Sequence, residues 1–210
     1  EQYTYPESLL FLAKKYNIDV EYIELDERAQ KEKNKREAIL IVLKFTKTFF
    51  CKNLTDSDKT GFNYLKTRGF SESTMKTFEI GYCSENDKSL IKEIKTAGYN
   101  LDYLKESRII NENQKNRFSG RLIFPIHNIT GQVVGFGGRI LKNNVKGVKY
   151  LNSDSSDLYQ KSKILYGLFL AKKHIKKLDS CYVVEGYTDV MALHQIGIKN
   201  VVSNCGTAFT

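Results

Sequence analysis

No stretch of the 210-residue sequence approaches the roughly 18 consecutive apolar residues of a membrane helix, so a helical span is excluded. No secretory leader is visible, and because residue 1 is Glu1 rather than Met, a further segment is expected upstream. The four cysteines, Cys51, Cys83, Cys181 and Cys205, lie far apart with no Cys-x-x-Cys pair. That argues against a structural zinc site within the chain and for reduced, partly buried thiols in a cytosolic protein. Internal repeats and low-complexity segments are absent, and there are only two prolines, Pro6 and Pro125.

What is present is an ordinary globular composition, 41% hydrophobic and 27% charged, enough for one medium domain or two small ones. Lys and Arg outnumber Asp and Glu by 33 to 24, a formal charge of +9. Such a surplus favours a polyanionic partner, nucleic acid or an acidic surface, without choosing between them. Lys142 to Lys177 concentrates it, with nine Lys against Asp154 and Asp157.

Helical patterns dominate the first hundred residues. Pro6 suits the first turn of a helix ending near Tyr16. The mixed charges of Glu21 to Glu37 form a linker or the solvated start of the next helix. That helix is set by Ile39, Val42, Leu43, Thr46, Phe49 and Phe50, at offsets 0, 3, 4, 7, 10 and 11. Shorter helices follow over Thr60–Thr67, stopped by Arg68-Gly69, over Ser73–Phe78, and over Lys88–Thr96, stopped by Ala97-Gly98. From Arg121 the pattern changes. Leu122–Ile126 and Gln132–Phe136 read as a hairpin, with Pro125 placing the first strand at an edge or a bulge. A helix over Leu165–Lys177 leads to a buried strand, Ser180–Val184. A helix over Thr188–Gln195 and a strand over Asn200–Ser203 complete a βαβ unit with a parallel pair. Two strands are few for a complete sheet, so the chain is expected to stop within a domain.

Glu185 falls at the carboxyl end of the first parallel strand, where open α/β sheets bind ligands. It suits a divalent-metal ligand or a general acid or base, and equally a helix-entry carboxylate that offsets the dipole. Asp189, one turn on, either assists there or belongs to a solvated helix face. The small polar run Ser203 to Ala208, with Gly206 and Thr207, suits a loop approaching a phosphate and also an ordinary turn.

Val183-Val184-Glu185-Gly186-Tyr187-Thr188-Asp189-Val190, followed by Gly206-Thr207-Ala208, resembles the opening of the Toprim fold in bacterial DnaG-type DNA primases. Tyr64 to Phe70, Arg117 to Ile126, Gly131 to Arg139 and Lys149 to Ser153, followed by Leu158 to Lys161 and Leu165 to Leu168, resemble the same family in the same order. The resemblance implies an α/β fold: a basic, mainly helical subdomain with a small sheet over 26–178, then a truncated Toprim start over 179–210. Residues 1–25 would be the tail of a zinc module and its linker helix. It implies that Glu185 is a catalytic metal ligand with Asp189 beside it. Arg68, Arg117, Arg121, Arg139, Lys149, Tyr150 and Lys161 would line a groove for template and nucleotide, and Gly206 and Thr207 a phosphate loop.

The implied enzyme makes short RNA primers from ribonucleoside triphosphates on single-stranded DNA, in the cytoplasm at the replisome. Mg²⁺ or Mn²⁺ would act in its complete form, Zn²⁺ would sit in the missing upstream module, and the replicative helicase would bind a missing C-terminal domain. The remaining Toprim acids are expected beyond Thr210, so the isolated chain should neither hold metal tightly nor make primers. A non-catalytic single-strand-binding module and a Toprim nuclease or topoisomerase are the alternatives. The latter would usually bring a nucleophilic Tyr or an appended module, and neither is visible before Ser180.

Overall fold

The computed structural model describes residues 5–18, 27–56, 59–85, 88–141 and 148–206. The chain divides into two compact units, residues 1–35 and 36–210. The first holds helix α1 (Tyr5–Lys15) and the opening of α2 (Glu27–Asp56). Of the mixed-charge stretch, 27–37 is helical and 21–26 lies outside the described residues.

In the second unit, α2 buries Val42, Leu43, Thr46, Phe49 and Phe50 of the expected stripe, leaves Ile39 partly exposed and adds Leu54. Helix α3 (Thr60–Thr67) ends at Gly69, whose φ of 82° is the left-handed conformation that closes a helix. Helix α4 (Glu72–Thr77) is capped by Ser71, whose Oγ accepts from the Thr74 N–H at 3.1 Å. After strand β1 (Gly81–Cys83) come α5 (Ser89–Thr96) and α6 (Asp102–Glu106).

Strands β2 (Arg121–His127), β3 (Val133–Ile140) and β4 (Tyr150–Asn152) join β1 in an antiparallel sheet of order β1-β2-β3-β4. Strand β2 is therefore central, yet β1 pairs only with its residues 121–123. Pro125 lies opposite Phe136. Both main-chain groups of Phe136 are bonded to Ser153 on the other side, N–H to Oγ at 3.0 Å and carbonyl to N–H at 2.8 Å. The ring nitrogen of Pro125 thus points away from β3, past the end of β1, where no ladder bond is lost. A bulge between Ile126 and His127 follows directly. Of the two alternatives that Pro125 offered, the bulge holds and the edge strand does not, because β2 is an inner strand whose Pro125 end merely runs past β1.

One face of the sheet carries Leu122, Phe124 and Ile126 into a core with Tyr166, Tyr187 and Met191. The other carries Ile123 and Phe136 into a core with Phe50, Ile94 and Leu104. Phe136 meets Phe50 edge-on at 5.6 Å and Phe118 at 6.2 Å.

Helix α7 (Leu168–Leu178) begins three residues later than its apolar pattern suggested. Tyr166 instead exchanges two backbone bonds with Ser203, of 2.8 and 3.1 Å, and Gly167 turns left-handed at φ 84°. Strands β5 (Tyr182–Val184) and β6 (Val201–Ser203) form the parallel pair across α8 (Tyr187–Gln195). The expected burial of β5 does not hold. Tyr182 and Val183 are more than half exposed, because only β6 pairs with this strand among the described residues, whereas a parallel strand is buried by neighbours on both sides and both faces.

Candidate functional site

Arg139, near the end of β3, lies opposite Tyr150 of β4 and donates from Nη1 to the Tyr150 hydroxyl. Its guanidinium stands 5.2 Å from the Tyr150 ring centre and 5.3 Å from that of Tyr64. Arg68, four residues beyond Tyr64 and on the same helical side, lies 5.4 Å from that ring too. Two cations and two rings thus interleave across α3, β3 and β4. Arg139 is 9% exposed, and the buried Arg139 Nε and Tyr64 Oη have no hydrogen-bond partner among the described residues. Buried polar atoms are seldom left unpaired, so this pair favours an added ligand or water. Lys149 and Tyr150 are exposed beside the row. Rings that stack and fixed cations that meet phosphate are what a sequence-tolerant single-strand surface requires.

Two of the expected cations are committed elsewhere. Arg121 is buried, donating to the carbonyls of Gly138 and Lys149 at 3.3 Å and of Val148 at 3.0 Å. It tethers the segment entering β4 rather than facing outward. Arg117 grips Asp154 at 2.7 Å and also donates to the Arg108 carbonyl at 3.2 Å. That grip holds the Asp154 carboxyl below its ordinary value. Lys161 is half-buried, its charge acting on the same carboxyl. Lys142 and Lys146 lie outside the described residues.

Asn152, two residues past Tyr150, connects this row to the parallel pair. Its Oδ1 accepts from the Tyr187 hydroxyl at 3.0 Å and its Nδ2 donates to the Cys205 carbonyl at 2.6 Å. One amide therefore holds both the turn after Glu185 and the loop after β6. Gly137 makes the approach feasible, since a Cβ there would meet the Tyr187 ring at 2.3 Å. Tyr187 is itself buried against Phe124 and Tyr166.

Glu185 is exposed at the mouth of this arrangement. Asp189 is exposed as well, but its Oδ2 accepts from the Gly186 N–H at 3.1 Å, which caps α8. Gly206 takes φ 80° against Asn152, and Thr207 lies outside the described residues. Among the described residues no three His, Cys, Asp or Glu side chains converge as a metal site needs. One free carboxylate does not hold a divalent ion, so these residues do not by themselves fit a complete metal centre. Burial pushes both the Tyr187 phenol and the Cys205 thiol up, leaving them neutral and unsuited to act as nucleophiles.

A family model of the DNA primase catalytic core, N-terminal domain, matches residues 49–172, and a Toprim domain model matches residues 179–210. The chain belongs to the DNA primase catalytic core family. It is 35% identical to the DNA primase of Streptomyces coelicolor over 211 residues, 98% of this chain and 33% of that protein. It is 43% identical to the DNA primase of Helicobacter pylori over 153 residues, 70% of this chain and 26% of that one. The chain thus spans about a third of the curated primases that it matches.

Among solved structures, the Aquifex aeolicus primase with its zinc-binding and RNA polymerase domains aligns at TM-score 0.78 and 30% identity, covering 99% of this chain and 49% of that one. A DnaG primase catalytic domain bound to single-stranded DNA aligns at 0.75 and 32%, covering 84% and 58%. The α/β reading of a primase fold with a Toprim start is therefore correct.

In this primase segment, the N-terminal match holds the whole Arg68–Tyr64–Arg139–Tyr150 row and the Toprim match holds Glu185. Sequence reasoning did not single out Tyr64 or Asn152. The spacing of Tyr64 and Arg68 was a usable signal for the first, whereas nothing local distinguishes Asn152 from other strand-end asparagines.

Proposed function

We propose that this chain is the template-holding part of a DNA primase that, when complete, makes short RNA primers from ribonucleoside triphosphates on single-stranded DNA. The observation that carries the reading is the Asn152 amide, which joins the cation–ring row to the turn bearing Glu185. Arg68, Arg139, Lys149, Tyr150 and Lys161 are assigned to template and nucleotide contacts, with Tyr64 added as a stacking ring. Arg117 and Arg121 shape the groove through Asp154 and the β4 backbone. Phosphate and stacking contacts suit a template of any sequence. Residues 26–178 form the basic subdomain, 179–210 begin the Toprim domain, and 1–25 connect to an upstream zinc module.

Glu185 is assigned as one ligand of Mg²⁺ or Mn²⁺ in the complete enzyme. Gly206 and Thr207 approach the nucleotide phosphates, and Asp189 supports the Glu185 turn through Gly186. The described residues hold too few carboxylates to complete the site, so the isolated chain is inactive in primer synthesis. Other partners of the complete protein are the replicative helicase, through a domain outside this chain, and the setting is the cytoplasm.

Glu185→Gln in the complete protein tests the assignment. The exposed side chain has no hydrogen bond or ion pair to lose among the described residues, so folding should be unchanged. Primer synthesis should fall at least about a hundredfold, the scale of losing a few kcal/mol of charge stabilisation. Full synthesis by that variant contradicts the role of Glu185, and template-dependent synthesis by the 210-residue chain contradicts its incompleteness.

A further inference from the structure

At the turn end of the hairpin, away from the Arg139 row, lies a cleft of about 710 Å³. Arg139 is six residues along β3 from Val133, which lines the cleft, a separation of about 20 Å at strand rise. The volume falls within the range of small-ligand sites. Its titratable lining is Glu37, Lys44 and Lys47 of α2, Lys76 of α4, Glu79 and His127. Lys47 and His127 are both bound by Glu79, His127 at 2.8 Å. Lys44 and Lys76 are exposed and have no carboxylate partner among the described residues. Its apolar lining includes Ile41, half exposed one helical turn before Lys44 on α2, and Leu170 of α7, partly exposed.

We propose that this cleft is a second ligand site, which takes a nucleoside polyphosphate with its phosphates on Lys44 and Lys76 and its base against Ile41 and Leu170. Glu79 neutralises Lys47 and Glu37 offsets part of the rest, so the lysines that remain for an anion are Lys44 and, across the gap, Lys76. An uncharged aromatic ligand would leave both ammonium groups unused, and inorganic phosphate alone would leave the apolar wall wet. The proposal does not depend on primer synthesis.

Hydrogen exchange of the 210-residue chain with ATP in metal-free buffer locates the ligand. ATP at millimolar concentration should slow exchange in residues 40–47 and 125–133. A Lys44→Ala/Lys76→Ala double variant, which removes two exposed side chains, should melt as the parent does and need roughly tenfold more ATP for the same protection. Tripolyphosphate and adenosine should each protect less than ATP. No protection, protection confined to residues 137–152 and 185–206, or equal protection by tripolyphosphate overturns the proposal.

Discussion

Glu79 has a left-handed backbone at φ 51° and places one carboxylate between Lys47 and His127. The hydrogen bond to His127 and the bond and charge of Lys47 hold its carboxyl at about 2, against an ordinary 4.5, in spite of partial burial. A carboxyl depressed on folding contributes stability that is complete above its unfolded value and is lost as pH falls through the folded one. Denaturation midpoints should therefore fall between pH 4.5 and 2, and Glu79→Gln should flatten that decline. Because the side chain is 36% exposed, the effect is a screened, modest one. Equal declines for both proteins contradict the triad. At this scale the sequence was only partly legible. Arg139 and Tyr150 could be picked from their motifs, but whether an arginine meets tyrosine rings, as Arg139 does, or backbone carbonyls, as Arg121 does, depends on which residues come opposite it after folding.

The elements were more legible because each carries its own punctuation. Gly69 and Gly98 close helices at the expected places, and the period of α2 selects the residues that are buried. Strand β1 and helix α6 escaped notice because three and five residues are too few to show a period. The start of α7 was misplaced because the bridge between Tyr166 and Ser203, which overrides the apolar pattern there, is a long-range pairing. The hairpin strand β3 tests the packing logic. Gly137→Ala forces a methyl into the buried Tyr187 ring and should cost about 1–3 kcal/mol in a urea melt. Adding Tyr187→Leu should recover part of that loss by opening space. A neutral Gly137→Ala, or a double variant that behaves as the sum of two independent losses, contradicts the close approach of β3 to α8.

Over the whole molecule, the surplus of positive charge predicted a polyanion without locating it. The structure gathers Arg68 and Arg139 around two tyrosines and leaves Lys149 exposed next to Tyr150 in the chain, while Arg117 is neutralised by Asp154 and Arg121 is turned onto backbone carbonyls. The same Asn152 amide ties this row to the turn after Glu185, so the row proposed for template and the carboxylate proposed for metal share one frame. The central claim is that this row binds single-stranded DNA. Affinity of the chain for a fluorescent single-stranded oligonucleotide, measured across a salt series, tests it most directly. The logarithm of the affinity should fall linearly with the logarithm of salt. Arg139→Ala and Lys149→Ala should each weaken binding and reduce the slope by roughly 0.7 for each phosphate contact removed. Unchanged affinity and slope in both variants, with folding intact, would contradict it.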